Sequence, residues 1–267
     1  MKKIAVIGYG ALGKILTRAL VEKLDTFYEL KGIYDSALSE ESIDIAGKSV
    51  PLYLSFDALL KDDTEIVVEI AGVGAVKEYI PLLLENGKDV VITSVGALAD
   101  EELYEHIRKT AGSAGRKVHI TSGAIGGFDI MRTLFLMGDA TSEIQSTKAP
   151  KSLNGAPYLK GELLPENEKC TAFEGNAQEA IAGFPKNTNV SVATGIVTNG
   201  AEHTGVRLIS DPESQGNTHR VTVENDRAKA VVEITSKPDP SNPKSSITAA
   251  WSVVALLENL ASPIQFF

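Results

Sequence analysis

The opening of the chain limits its fold more than any other stretch. Ile4 to Ile7 is a short apolar run, the pattern of a strand buried on both faces. It leads directly into Gly8-Tyr9-Gly10-Ala11-Leu12-Gly13. Leu12, Ile15, Leu16, Ala19 and Leu20 then recur at helical spacing and form one apolar face. Gly8 permits a tight turn, Gly10 carries no side chain to keep a ligand off the backbone, and Gly13 lets the helix lie close to the strand. The N–H groups that open the helix, at Ala11, Leu12 and Gly13, then face an anion. A second apolar run, Leu30 to Tyr34, ends in Asp35, 22 residues after Gly13. Strand, glycine turn, helix and a carboxylate closing the next strand form the dinucleotide-binding pattern. Asp35 can accept hydrogen bonds from ribose hydroxyls and would repel a 2′-phosphate. NAD is therefore the expected cofactor, with NADP as the alternative.

The rest of the first half repeats this alternation. Strands are expected at Val50 to Leu54, Glu65 to Ala71, Asp89 to Thr93 and Val118 to Thr121. Helical spacing falls at Phe56 to Leu60, Gly74 to Asn86 and Asp100 to Ala111. Such β-α order implies a parallel sheet covered by helices. After Ser122-Gly-Ala-Ile-Gly-Gly127 the pattern changes. A helix is expected up to Met137 and a strand at Ile144 to Thr147. Glu174 to Ile181 reads as helical, and Val190 to Val197 fits helix or strand. Thr204 to Ile209, Thr218 to Val223 and Ala230 to Thr235 alternate as strands of an antiparallel or mixed sheet. Ser245 to Leu260 carries Ile247, Trp251, Val254 and Leu257 at helical spacing. The expected fold is α/β: a Rossmann domain over 1–123 and a second α/β domain with a mixed, largely antiparallel sheet over 124–244. The final helix, 245–267, packs back on the first domain, and substrate binds in the cleft between the domains.

Composition narrows the class further. The net charge is −9 and no basic block occurs, so nucleic acid and anionic membranes are unsuitable partners. No apolar stretch is long enough to span a bilayer, and a cleaved leader would destroy the glycine turn. Cys170 is the only cysteine, which suits a reducing cytoplasm. No cluster with metal-ligand spacing stands out.

A nicotinamide enzyme still needs a group to manage protons. His106 lies among charged residues, His119 alternates within a strand, and His203 sits in polar surroundings. His219 shares a strand face with Val221 and Val223 where a turn-rich loop meets the strand, so it is either a hydrogen-bonded core residue or a site residue. Asn187 and Asn189, in Phe184-Pro-Lys-Asn-Thr-Asn-Val190, are either turn and capping residues or amides for a nicotinamide or a substrate. Lys148 and Lys244 are either solvated or partners for substrate carboxylates.

These motifs together resemble the L-aspartate dehydrogenase family over nearly the whole chain. The resemblance rests on the glycine turn, Ser94-Val-Gly-Ala-Leu-Ala-Asp100, Ser122 to Gly127, Phe173-Glu-Gly-Asn-Ala-Gln-Glu-Ala180 and Phe184 to Val190. It extends to Asp211-Pro with Asn217-Thr-His219, and to Asn242-Pro-Lys-Ser-Ser246. It implies oxidation of L-aspartate with NAD or NADP to iminoaspartate, which yields oxaloacetate and ammonia or feeds nicotinamide-cofactor synthesis. It also implies a homodimer. The family's catalytic histidine falls on His219, and its cofactor-contacting alanine and asparagine fall on Ala124 and Asn189. Lys148, Asn187 and Lys244 are then the candidates for substrate contact. Two departures bear on substrate specificity: Thr147 stands where the family usually has arginine, and Glu69 to Ala75 is richer in glycine than usual. The alternatives are a dehydrogenase or imine reductase for another small amino or oxo acid, or a non-catalytic NAD-binding redox sensor.

Overall fold

A computed structural model describes residues 1–237 and 246–266. The chain forms two compact units, Met1–Thr121 with Ala249–Phe267, and Ser122–Thr248.

In the first unit, β1 (Lys2–Ile7), α1 (Ala11–Glu22) and β2 (Tyr28–Tyr34) are followed by a small hairpin, β3 (Ser42–Ile45) and β4 (Lys48–Pro51). Then come α2 (Phe56–Lys61), β5 (Ile66–Glu69), α3 (Val73–Glu85), β6 (Asp89–Ile92), α4 (Glu101–Ala114) and β7 (Val118–Ile120). Five strands form a parallel sheet in the order β2-β1-β5-β6-β7. Their continuous apolar runs are explained by burial, for Ile66, Val67 and Val68 are all enclosed. The change of direction lies at β1, whose chain passes to β2 on one side while β5 lies on the other. At α4, the Asp100 carboxylate accepts the Leu103 N–H at 3.2 Å, and Glu101 and Glu102 complement the helix dipole.

The expected strand from Val50 to Leu54 is instead one arm of a hairpin. β3 pairs antiparallel with β4, and only Leu52 reaches the main sheet, through a bridge to Ile33. The turn between them is Ala46-Gly47, both at positive φ. Alanine in that conformation is uncommon, so the usual Asn-Gly signal for a hairpin is absent from the sequence.

The second unit holds α5 (Phe128–Met137), β8 (Ala140–Lys148), α6 (Pro150–Leu153), β9 (Cys170–Asn176), α7 (Ala177–Gly183) and α8 (Asn189–Val197). β10 (Thr204–Ser210), β11 (Asn217–Asn225) and β12 (Lys229–Ser236) complete it. The sheet order is β12-β11-β8-β10-β9; β8 and β10 run parallel, and the other neighbours are antiparallel. The helix expected from Glu174 corrects to the end of edge strand β9 followed by α7. Asn176 divides them: its side chain accepts the Glu179 N–H at 2.9 Å, and Glu179 accepts the Asn176 N–H at 3.0 Å. This capping box forbids a helix start before Ala177.

The last helix, α9 (Ile247–Ala261), places Val253, Val254 and Leu257 in a core cluster with Ile4, Leu16, Leu20 and Tyr28. The Tyr28 hydroxyl donates to the Leu257 carbonyl at 2.8 Å. The expected apolar stripe is rotated: Ala250 and Val253 are buried, whereas Trp251 is 40% exposed with the Lys23 amine over its ring. The expected start of the helix at Ser245 lies outside the described residues.

Leu257→Ala should therefore lower stability by about 2–5 kcal/mol, while Trp251→Ala should cost under about 1 kcal/mol. Urea unfolding of both variants checks the phase of the helix; equal losses would contradict it.

Candidate active site

The glycine turn is shaped by contacts that exclude side chains. Gly8 adopts φ +103, and a Cβ there would lie 2.9 Å from the backbone of Ala71. A Cβ on Gly13 would sit 2.2 Å from the Gly8 carbonyl oxygen, so glycine alone lets α1 begin this close to β1. At Gly10 the space is open, with no heavy atom within 4 Å of a Cβ position. Gly10 also supplies no side-chain cap to α1. The opening N–H groups of the helix are thus left for a ligand, beside space that any larger residue would fill. Asp35 follows β2 directly. Its carboxylate accepts the Tyr9 N–H at 2.7 Å and the Ala37 N–H at 2.9 Å, which ties it to the glycine turn. These residues fit a dinucleotide: donors and open space for the pyrophosphate, and a fixed carboxylate for the ribose.

The second feature lies on the sheet of the other unit. Along β8 and β11 alternate residues face inward, and the middle of that face is apolar, with Ile144, Val221 and Val223. Toward one end of the same face the residues become polar. Ser146 and Lys148 of β8, Ser210 of β10, Asn217 and His219 of β11 and Ser236 of β12 are all buried. Register brings them together, for His219 pairs with Ser146, Lys148 with Ser210, and Asn217 with Ser236. Ser146 Oγ lies 2.7 Å from His219 Nδ1. Burial and then the nearby Lys148 push the His219 pKa down to about 3, so the imidazole is neutral at ordinary pH. Burial lowers the Lys148 amine to about 8. Ser210 Oγ is buried without a hydrogen-bond partner, as is Ser191 Oγ of α8. Buried hydroxyls left unpaired beside a histidine and a lysine suit a ligand better than they suit folding.

His219 thus faces inward with Val221 and Val223, as expected, and Lys148 is buried beside it rather than solvated. Thr147 points to the opposite face, between Ile209 and Thr218. The missing arginine therefore does not alter the face that carries His219. Ala124 is buried in the turn that follows Gly123, and Val190 of α8 packs 4.0 Å from a Cβ position at that glycine. Asn189 is the first residue of α8 and is half-buried. The Asn187 amide donates to the Ser152 carbonyl at 3.0 Å. Lys244 lies outside the described residues. His106 and His203 are exposed.

Sequence reasoning missed Ser146, Ser210 and Glu69. Strand alternation could have placed Ser146 opposite His219, but serine is too common in strands to stand out. Glu69 is fully buried at the end of β5. Among the described residues no group of three or more His, Cys, Asp or Glu could hold a metal ion, and no helix is long and apolar enough to cross a membrane.

Comparison with known proteins covers both halves of the chain. Residues 8–121 match the family described as homoserine dehydrogenase, NAD binding domain, and residues 129–260 match aspartate dehydrogenase, C-terminal. The chain is 35% identical to the L-aspartate dehydrogenase of Methanosarcina barkeri, with 99% of each chain covered. It is also 35% identical to that of Methanospirillum hungatei, with 99% of this chain and 98% of the relative covered. The crystal structure of aspartate dehydrogenase from Thermotoga maritima superposes with a TM-score of 0.78 at 28% identity, covering all of both chains. This chain, with its NAD-binding N-terminal unit, belongs to the L-aspartate dehydrogenase family.

Proposed function

We propose that the protein oxidises L-aspartate to iminoaspartate, with His219 as the base and NAD preferred over NADP as hydride acceptor. The imine is then hydrolysed to oxaloacetate and ammonia or passed to nicotinamide-cofactor synthesis. The observation that carries this reading is a neutral imidazole at the polar end of an apolar sheet face, held at Nδ1 by Ser146. When bound, the nicotinamide ring accepts the hydride that leaves the substrate Cα. The protein's part is to position the substrate and manage its protons. With the imidazole proton on Nδ1 and donated to Ser146 Oγ, Nε2 carries the lone pair. Nε2 takes a proton from the substrate ammonium, so the nitrogen lone pair can form the C=N bond as hydride departs. After that proton has been released, Nε2 takes another from the water that attacks the imine carbon. Lys148 binds a substrate carboxylate, and its charge helps keep His219 neutral. Ala124 and Asn189 contact the nicotinamide end. Asp35 favours NAD, because its carboxylate, held in place by the Tyr9 and Ala37 N–H groups, would repel a 2′-phosphate.

His219→Ala should lower turnover of aspartate by about 10²–10⁴-fold while NADH still binds. Near-normal turnover, assayed with NAD and with NADP, would remove His219 from the mechanism.

Succinate, a dicarboxylate without an amine, isolates carboxylate recognition. Lys148 loses its charge as pH rises through about 8. The inhibition constant of succinate should accordingly rise above that pH, and Lys148→Met should bind succinate more weakly and without this dependence. A wild-type constant unchanged from pH 7 to 9.5 would contradict the role.

A cytoplasmic homodimer completes the reading. Ile130, Leu136 and Met137 remain exposed on α5, which supports self-association. Light scattering should give twice the 28.4 kDa chain mass; a monomer at micromolar concentration would refute it.

A further inference from the structure

Glu69 is an ionisable residue set in the core of a parallel sheet, where Ile66, Val67 and Val68 precede it. Apolar residues fill such positions at less cost, because a buried carboxylate must be fully hydrogen-bonded to be tolerated. Here it is. Oε1 accepts the N–H groups of Ala71 and Gly72, each at 2.8 Å, and the Ser94 hydroxyl at 2.8 Å. Oε2 accepts the Ser94 N–H at 3.0 Å. Burial raises its proton affinity, and these donors oppose that shift.

The donors come from two separate turns. Ala71 and Gly72 link β5 to α3, and Gly72 sits at φ +141 as the residue before that helix. Ser94 follows β6. One carboxylate therefore ties together the chain leaving the carboxyl ends of two neighbouring parallel strands. The other neighbour of β5 is β1, which ends in the glycine turn. The Ala71 backbone is what a Cβ on Gly8 would strike. The turn fixed by Glu69 is thus the surface against which the glycine turn is packed. Dinucleotides bind outside the carboxyl ends of the strands at this change of direction in the sheet.

We infer that Glu69 is a positioning residue for the dinucleotide: its carboxylate holds the Ala71-Gly72 turn and Ser94 so that the glycine turn keeps the shape that admits the pyrophosphate. The inference rests on the reading of Gly8 to Gly13 as the dinucleotide site. It deepens that reading by adding a residue that never touches the ligand.

Glu69→Gln tests it with little change of shape. Glutamine keeps one acceptor oxygen and presents its NH₂ to N–H donors at the other position: the Ser94 N–H in one orientation, the Ala71 and Gly72 N–H groups in the other. Binding is measured on the folded full-length protein by NADH fluorescence, with adenosine as a probe that lacks phosphates and engages only the Asp35 side. NADH should bind about tenfold or more weakly, the loss expected when a buried donor goes unpaired, while adenosine affinity is unchanged. A merely structural role would lower the melting temperature and leave NADH affinity in the folded protein at the wild-type value; that result overturns the inference. If Glu69→Gln does not fold, Ser94→Ala decides. It removes only the hydroxyl donor, so a smaller but measurable weakening of NADH is expected, and wild-type affinity overturns the inference. Failure of the wild-type protein to bind NADH would instead overturn the dinucleotide reading beneath it.

Discussion

The contact between the Gly8 carbonyl and Gly13 governs the N-terminal unit. With 2.2 Å between that oxygen and a Cβ position, no residue but glycine lets a helix begin so soon after the strand. Everything a dinucleotide needs follows from this closeness. The first turn of α1 opens at the carboxyl end of β1, and its unpaired N–H groups are brought to the place where the sheet changes direction. Asp35 then holds the turn from one side through the Tyr9 N–H, and Ala71 bounds it from the other.

The second unit relies on register instead of steric exclusion. A one-residue slip of β11 against β8 would send His219 to the opposite face and separate it from Ser146. The apolar pair below them, Val221 opposite Ile144, and the buried Val223 oppose that slip by burying the same face. The hydrophobic part of the sheet thus sets where its polar end lies.

Much of this was legible from sequence because its causes are local. The glycine turn and Asp35 stand at fixed spacings within one β-α-β segment, and the inward face of His219 follows from alternation with two valines. The β3–β4 hairpin was not legible, since Ala46-Gly47 reaches positive φ without the residues that usually mark such a turn. The phase of α9 was not legible either. Both Trp251 and Val253 fit a helical stripe, and only packing against the first unit buries Val253. Glu69 and Ser146 are partners across strands, and neither has a local signature. The tie from the Asn187 amide to Ser152 likewise has no local signature, since pattern alone does not reveal a partner 35 residues away.

The partner chosen for His219 has a chemical consequence. A carboxylate at Nδ1 would stabilise the imidazolium and raise its pKa; Ser146 is neutral and can only orient the ring. With Lys148 adjacent and burial complete, the free protein holds a base whose proton affinity lies far below that of ordinary histidine. Such a base becomes effective when negative charge arrives beside it. A carboxylate seated on Lys148 would bring that charge, offsetting the Lys148 repulsion that adds to the effect of burial on His219. In this arrangement the arriving carboxylate would strengthen the base that acts on the same substrate, without any need for an arginine at position 147.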